Sequence, residues 1–200
     1  GAAEWQVVTT SKNEVTDDIA VSLFYIGETA CLRGEVVVDA PPSTLFAVVT
    51  DIPGAPKFSS ETLLASKTLG AAGAHEYYQH LDVPNWTMAS DRYWVLKGED
   101  KSHGEVRVFR WDRFDWRTAH PQLAAEIDAD HPGAVEPQVN WGDWTFTPVE
   151  GRTNLVYRLC NDPGGSLPKW LQKAAATKTM PNAIVDIVRE AQRRNAATGQ

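Results

Sequence analysis

Cysteine is scarce in this chain: Cys31 and Cys160 are the only two in 200 residues. A zinc motif needs clustered pairs of ligands, so two thiols this far apart do not form one. They are either two thiols, buried or exposed, or one bridge. Positive charge is also short, with 19 Lys and Arg against 26 Asp and Glu, a net charge of −7 and a pI near 5.2. That balance argues against a nucleic-acid partner, which requires a basic face, and against electrostatic docking on anionic lipid. No apolar run is long enough to cross a bilayer as a helix. Internal repeats, low-complexity tracts, linkers, a glycine-rich phosphate loop and a nucleophile elbow are all missing. The amino terminus, Gly1 to Trp5, has neither a basic n-region nor an apolar h-region. Ala2 and Ala3 before Glu4 are what cleavage of a signal peptide can leave. The expectation is therefore a mature periplasmic or secreted chain, with a cytoplasmic one as the alternative.

Aromatic residues, in contrast, are plentiful: 8 Trp, 5 Tyr and 6 Phe. With 42% hydrophobic and 22% charged residues, the composition is that of a globular protein with a sizeable core. Trp5 to Val8 and Ile19 to Ile26 read as strands, and Cys31 to Val38 alternates as a half-buried strand, with Leu32, Val36 and Val38 on one side. After Pro41 and Pro42, the spacing of Leu45, Val48, Val49 and Ile52 predicts one short helix. Residues 51–58, with Pro53, Gly54 and Pro56, read as a loop or broken turn. Strands return at Thr62 to Leu69 and His75 to Leu81, then at Arg92 to Lys97 and Glu105 to Trp111. A last pair surrounds Gly151, with Trp144, Phe146 and Pro148 before it and Leu155, Tyr157 and Leu159 after it. Residues 112–139 are too long for a hairpin connection and read as a long loop of functional or mobile type.

The stretch from Asp162 to Gln192 predicts a long C-terminal helix. Gly164 and Gly165 break the preceding strand, Ser166 can cap, and Pro168 suits the first turn, so the helix begins near Leu167. Leu171, Ala174, Ala175 and Lys178 recur at helical spacing, followed by Met180, Ile184, Ile187, Val188 and Ala191. Asp186, Arg189, Glu190 and Arg193 take the other face. Pro181 clashes with the carbonyl four residues back, so it either kinks this lid-like helix or splits it. Alanines facing a sheet leave space, and empty core space costs about 24 cal/mol per Å³. Either aromatic side chains or a ligand fill it.

Several residues carry a family likeness. They are Gly142, Trp144, Phe146, Pro148, Gly151, Leu155 and Tyr157, then Asp162-Pro163-Gly164-Gly165 and Leu167-Pro168-Lys169-Trp170-Leu171, with Asp91-Arg92 and the pair Asp51 and Phe58 upstream. Together with the order of elements, they resemble the START lipid-transfer domain of the helix-grip (Bet v 1-like, SRPBCC) superfamily, in its bacterial single-domain form. Tyr93 departs from that pattern, in which an acid commonly follows the arginine. The resemblance implies an α+β fold over residues 1–200 as one domain: a curved antiparallel sheet wrapped around the long, Pro-kinked C-terminal helix. It also implies a tunnel between them for a sterol or other polycyclic lipid, a phospholipid or a fatty-acyl lipid, carried or transferred without a cofactor or metal. A monomer with transient membrane contact follows from the same likeness. Residues 112–139 and the C-terminal helix would move for loading. The alternative is an enzyme of the same superfamily, a cyclase or hydrolase acting on a bound hydrophobic substrate.

The implied ligand-binding residues are Arg92, Trp94 and Leu96 on one face of their strand, with Trp144, Phe146 and Tyr157 from the last hairpin. From the helix they are Leu171, Ala174, Ala175 and Lys178. Arg92 is either an anchor for a ligand hydroxyl, carbonyl or phosphate or a rim residue paired to a carboxylate. In the implied strand order, pairing that sets Val38 near Thr153 brings Cys31 opposite Cys160, where a disulfide would favour an oxidising compartment. An enzyme would need an acid or base in the tunnel, and the candidates are His75, His80 and Asp143, none with a partner at a telling spacing. His120, Glu126, Asp128, Asp130 and His131 fit no metal-ligand pattern and read as a solvated acidic loop.

Overall fold

A computed structural model describes residues 4–71, 75–164 and 168–199, together with their side chains except those at 169, 172, 175 and 176. Among the described residues, nine strands and five α-helices follow one another. Strands β1 (Gln6–Ser11), β2 (Ile19–Ile26) and β3 (Thr29–Val38) precede helices α1 (Pro42–Val49) and α2 (Ala55–Phe58). Strands β4 (Leu63–Leu69), β5 (Glu76–Leu81), β6 (Arg92–Asp100) and β7 (Arg107–Arg113) lead to helices α3 (Trp116–Ala119) and α4 (Pro121–Asp130). Strands β8 (Val139–Val149) and β9 (Arg152–Asp162) lead to the long helix α5 (Lys169–Thr198). The Gly165, Ser166 and Leu167 expectations lie outside the described residues.

All strands join one antiparallel sheet in the order β1-β2-β3-β9-β8-β7-β6-β5-β4. Two meanders therefore meet where β3 pairs with β9, the contact that links the two ends of the chain. Val38 lies opposite Thr153 and Cys31 opposite Cys160, as the implied strand order requires, and the two sulfurs are bonded. Alternation along the strands separates two faces. Ile19, Val21, Leu32, Val36, Leu96, Phe109, Trp111, Trp144, Phe146 and Leu155 line the concave face. Tyr78, Tyr93 and Val95 point the opposite way.

Helix α5 lies on the concave face through Met180, Ile184, Val188 and Ala191, all buried and spaced on one helical stripe. Its seat is Gly34 of β3, where an added Cβ would come within 2.5 Å of Ile184 Cδ1. The helix runs through Pro181 without a break, so it is one element and not two. On the opposite, polar side of the helix, Arg189 and Arg193 are exposed. Asp186 and Glu190 are buried, because the 51–61 segment packs over them. Asp186 Oδ2 accepts from the Ser60 amide at 2.7 Å, and Arg194 joins Glu190 (2.9 Å) to Asp51 (2.6 Å) while lying over the Phe58 ring. This arrangement explains why Asp51 and Phe58 accompany one another: both hold Arg194.

Two stretches read as loops contain helices. Residues 51–58 hold the short α2, and residues 112–139 hold α3 and α4. Pro121 starts α4, and Leu123, Ala124 and Ile127 form its apolar stripe. With Trp116, these side chains cover Tyr78, Tyr93 and Val95 on the convex face as a second core. Tyr93 is therefore no misplaced acid: it packs edge-on to Trp116, and its hydroxyl accepts from Arg117 at 3.2 Å.

The disulfide closes a very long loop, so replacing both cysteines with alanine is expected to lower stability by about 2–5 kcal/mol. Urea unfolding of the oxidised protein and the double variant measures this, and coincident midpoints would contradict it. Two guanidiniums hold the Glu190 carboxyl down at about 2, with the Arg193 bond contributing most. A depressed carboxylate contributes its full stabilisation above the ordinary Glu value of about 4.3 and loses it as pH falls toward 2. Glu190→Gln should therefore cost on the order of 2–3 kcal/mol at neutral pH and flatten the acid arm of the stability profile. An acid arm as steep as the wild type's would refute that assignment.

Candidate functional site

The concave face carries an aromatic wall. Trp144 and Tyr157 are direct cross-strand partners, and their rings stack at 3.8 Å with planes 4° apart. Trp111 and Phe146 flank the stack at 6.0 and 6.2 Å. Position 142 is glycine because a Cβ there would run into the Arg158 carbonyl and meet the Trp111 indole at 2.7 Å. Two indole N–H groups on this face find partners within it. Trp111 Nε1 donates to Asn140 Oδ1 at 3.1 Å, and Trp94 Nε1 donates to Gln79 Oε1 at 2.9 Å. Gln79 in turn donates to Ser66 Oγ, which donates to the Ile52 carbonyl. Burial pushes the Tyr77 and Tyr157 phenols upward, so both stay neutral donors.

Polar character enters this wall from the opposite edge of the sheet. Glu61, just before β4, raises the Tyr157 phenol further through its charge. Strands β4 and β9 stand five places apart in the sheet, about 24 Å on a flat surface. The Ser60 amide, beside that edge, nonetheless bonds Asp186 of α5, and α5 is seated on Gly34 of β3, so the sheet curls until its edge approaches the helix on its centre. Glu61 itself is exposed, yet burial, then the Asp186 carboxylate, pushes its carboxyl up. The aromatic wall, the Ser60–Glu61 turn and α5 bound the candidate cleft.

The concave face brings together six residues of the sequence reading, with differing roles. Leu96 and Phe146 are buried in its core, Trp144 is nearly so, and Trp94 and Tyr157 are partly exposed. Arg92 shares the face, and its guanidinium is engaged by backbone carbonyls. It is buried, and donates to the carbonyls of Pro163 (2.7 Å), Gly164 (3.0 Å) and Ser90 (2.5 Å), clamping the turn that leads into α5. Burial lowers its pKa while the Asp91 charge raises it.

The helix candidates lie elsewhere. Leu171, Ala174 and Lys178 are exposed on the first half of α5, and the Ala175 side chain lies outside the described residues. Ala174 and Lys178 face Val8 and Thr9 of β1 across a shallow groove of about 390 Å³. Cys31 and Cys160 occupy the convex side of their strands. So do two of the acid–base candidates: Asp143 is paired with Arg158, and His80 is buried between Asp91 (2.8 Å), the Tyr78 hydroxyl (3.3 Å) and the His131 ring. His75 stands at the edge where β5 begins, with φ at 50°. The 120–131 residues disperse: His120 pairs with Glu76 and Asp128 with Arg117.

Sequence reasoning missed Tyr77, Gln79, Glu61 and Asp186. The first two were within reach, because the β5–β6 register sets Tyr77 opposite Leu96 and Gln79 opposite Trp94. Glu61 and Asp186 carry no such signal, since only the curl of the sheet brings them in.

With this geometry in hand, comparison with known proteins is informative. A family model for polyketide cyclase / dehydrase and lipid transport matches residues 38–187. A search of curated protein sequences finds no match. Among solved structures, human STARD10 superposes with a TM-score of 0.74 at 15% identity, over 98% of this chain and 76% of that one. A STAR-related lipid transfer protein from Xanthomonas axonopodis gives 0.68 at 21% identity, over 94% and 98%. The Zhui aromatase/cyclase from a Streptomyces species gives 0.60 at 15% identity, over 86% and 98%. At these identities the likeness establishes the fold.

If Arg92 is a clamp, Arg92→Met should lower stability on the order of 3 kcal/mol and speed amide exchange at Gly164. Normal stability combined with lost ligand uptake would instead make it the anchor.

Proposed function

The chain belongs to the polyketide cyclase / dehydrase and lipid transport family, and from that premise we propose that it binds a hydrophobic ligand between sheet and helix and carries it through water without chemical change. The START-like helix-grip fold supports hydrophobic small-molecule binding in general. The observation that carries the reading is the Trp144–Tyr157 stack on the concave face, within reach of a wet, deeply set carboxylate. Stacked aromatics offer a flat apolar surface, and each ligand CH₂ buried there gains about 0.8 kcal/mol.

The site chemistry favours carriage over catalysis. His80 and Asp143 are committed to partners on the convex face, away from this wall. Glu61 is the one group suited to act as an acid on a bound substrate, and it is what a cyclase-like reading would use.

Loading requires contact with a lipid surface. Trp86 and Met88 in the β5–β6 loop and Trp170 at the start of α5 are strongly exposed. Arg92 bonds Ser90 and Gly164 at once, which sets that loop beside the turn into α5. Exposed tryptophans at one end of a protein with net negative charge suit transient contact with a neutral membrane surface. The Cys31–Cys160 bond supports an oxidising location, periplasmic or extracellular.

The reading is tested by comparing native with denatured mass, and by uptake of a sterol, a phosphatidylcholine and a fatty acid. At least one is expected to bind, with Trp144→Ala weakening it about tenfold and Trp141→Ala, on the convex face, leaving it unchanged. No ligand mass and no uptake of any of the three would overturn carriage.

A further inference from the structure

The sheet has two edges, and they are not alike. The β4 edge is blunted: it carries Lys67, and α2 packs against it. The β1 edge, Gln6–Ser11, holds no charged residue and no proline, the residues that usually keep an edge strand from pairing further. β1 pairs with β2, and no other strand or backbone group among the described residues meets its outward N–H and C=O groups. Val7 and Val8 are both exposed. The register skips Val8, since Val7 lies opposite Ser22 and Thr9 opposite Val21. Such a bulge re-aims side chains, and here Val8 and its neighbour Thr9 both face the groove of about 390 Å³. Trp170, Lys173, Ala174 and Lys178 of α5 line its other wall. Neither lysine forms an ion pair among the described residues, in a chain whose net charge is −7.

We propose that this edge docks an extended acidic peptide of a partner protein, which adds to the sheet as a strand beside β1 and sets carboxylates against Lys173 and Lys178. The open edge supplies the main-chain bonds, and the groove supplies selectivity for side chains. The spacing agrees. Lys173 and Lys178 lie five residues apart, about 7.5 Å along a helix, and side chains on one side of a strand recur about every 6.8 Å. Acidic residues at alternate positions of the peptide thus reach both ammoniums. The residues between them turn to the other side of the sheet, where Val7 is exposed, so an apolar residue suits those positions. A second copy of this chain is a poor occupant, because its β1 has no carboxylate to offer and both copies are negative. The site is separate from the ligand cleft proposed above: no residue of the aromatic wall lines it.

The test uses the intact protein and a fluorescein-labelled octapeptide alternating Glu and Val, with its Gln and Val analogue as control, read by anisotropy at low salt. The acidic peptide should bind about tenfold more tightly than the neutral one. That advantage should vanish at about 1 M salt, or when Lys173→Glu and Lys178→Glu are combined. Along a strand, alternate N–H groups face the same neighbour. N-methylation of one set of residues, either the Glu or the Val, should therefore abolish binding, while N-methylation of the other set spares it. Amide exchange at Thr9–Ser11 should slow on saturation. Equal binding of the two peptides overturns the charge match, and equal effects of the two methylated sets overturn strand addition. No binding of the acidic peptide at about 1 mM overturns the proposal outright. So does exchange at Thr9–Ser11 that slows with the concentration of the protein alone, which assigns the edge to a second copy. Exchange there that slows with phosphatidylcholine vesicles and with neither peptide assigns it to a membrane and overturns the proposal as well. Should the double variant not fold, the peptide comparisons on the wild type decide alone.

Discussion

The close contact between Ile184 on α5 and Gly34 on β3 is the constraint from which the rest of the architecture follows. A Cβ at that position would displace the Ile184 side chain, and the close approach buries Met180, Ile184, Val188 and Ala191, at about 1.5–3 kcal/mol for each large side chain. Because β3 is also the strand that pairs with β9, the seat of the helix and the junction of the two meanders coincide. The disulfide fixes that junction from the convex side. The second half of the helix is thereby held firmly, while Leu171, Ala174 and Lys178 on the first half remain exposed.

The curl of the sheet divides the chemistry between two faces. On the convex side, α3 and α4 cover Tyr78, Tyr93 and Val95, and His80 is buried between Asp91 and the His131 ring. Those groups have the residue types of an active site but no access to the aromatic wall. On the concave side, stacked rings, neutral phenols and one wet carboxylate form a surface suited to recognition. The same fold is found in a lipid transfer protein and in an aromatase/cyclase, so the proposed carriage rests on the site and not on the fold.

Much of this was legible in the residues. Alternation in β3, β8 and β9 placed the concave face correctly, and the same alternation put Arg92, Trp94 and Leu96 together. What failed had physical causes. Residues 112–139 looked structureless because α4 is short and its stripe is only Leu123, Ala124 and Ile127, yet those three suffice once a sheet face needs covering. Arg92 looked like an anchor because a charge facing a tunnel invites a ligand, whereas three carbonyls of nearby turns satisfy it. Asp186 and Glu190 were placed only on the face opposite the apolar stripe, because helix periodicity carries no sign that the 51–61 segment folds over them.

The central claim, that the ligand occupies the concave cleft, is tested most directly by amide hydrogen exchange on the protein with and without a saturating hydrophobic ligand. Protection should rise at Ser60–Glu61, around Tyr77 and Trp94, and along the Trp144–Tyr157 pair, with α3 and α4 unchanged. Protection confined to α3, α4 or the groove beside β1, with the concave strands unaffected, would contradict the account.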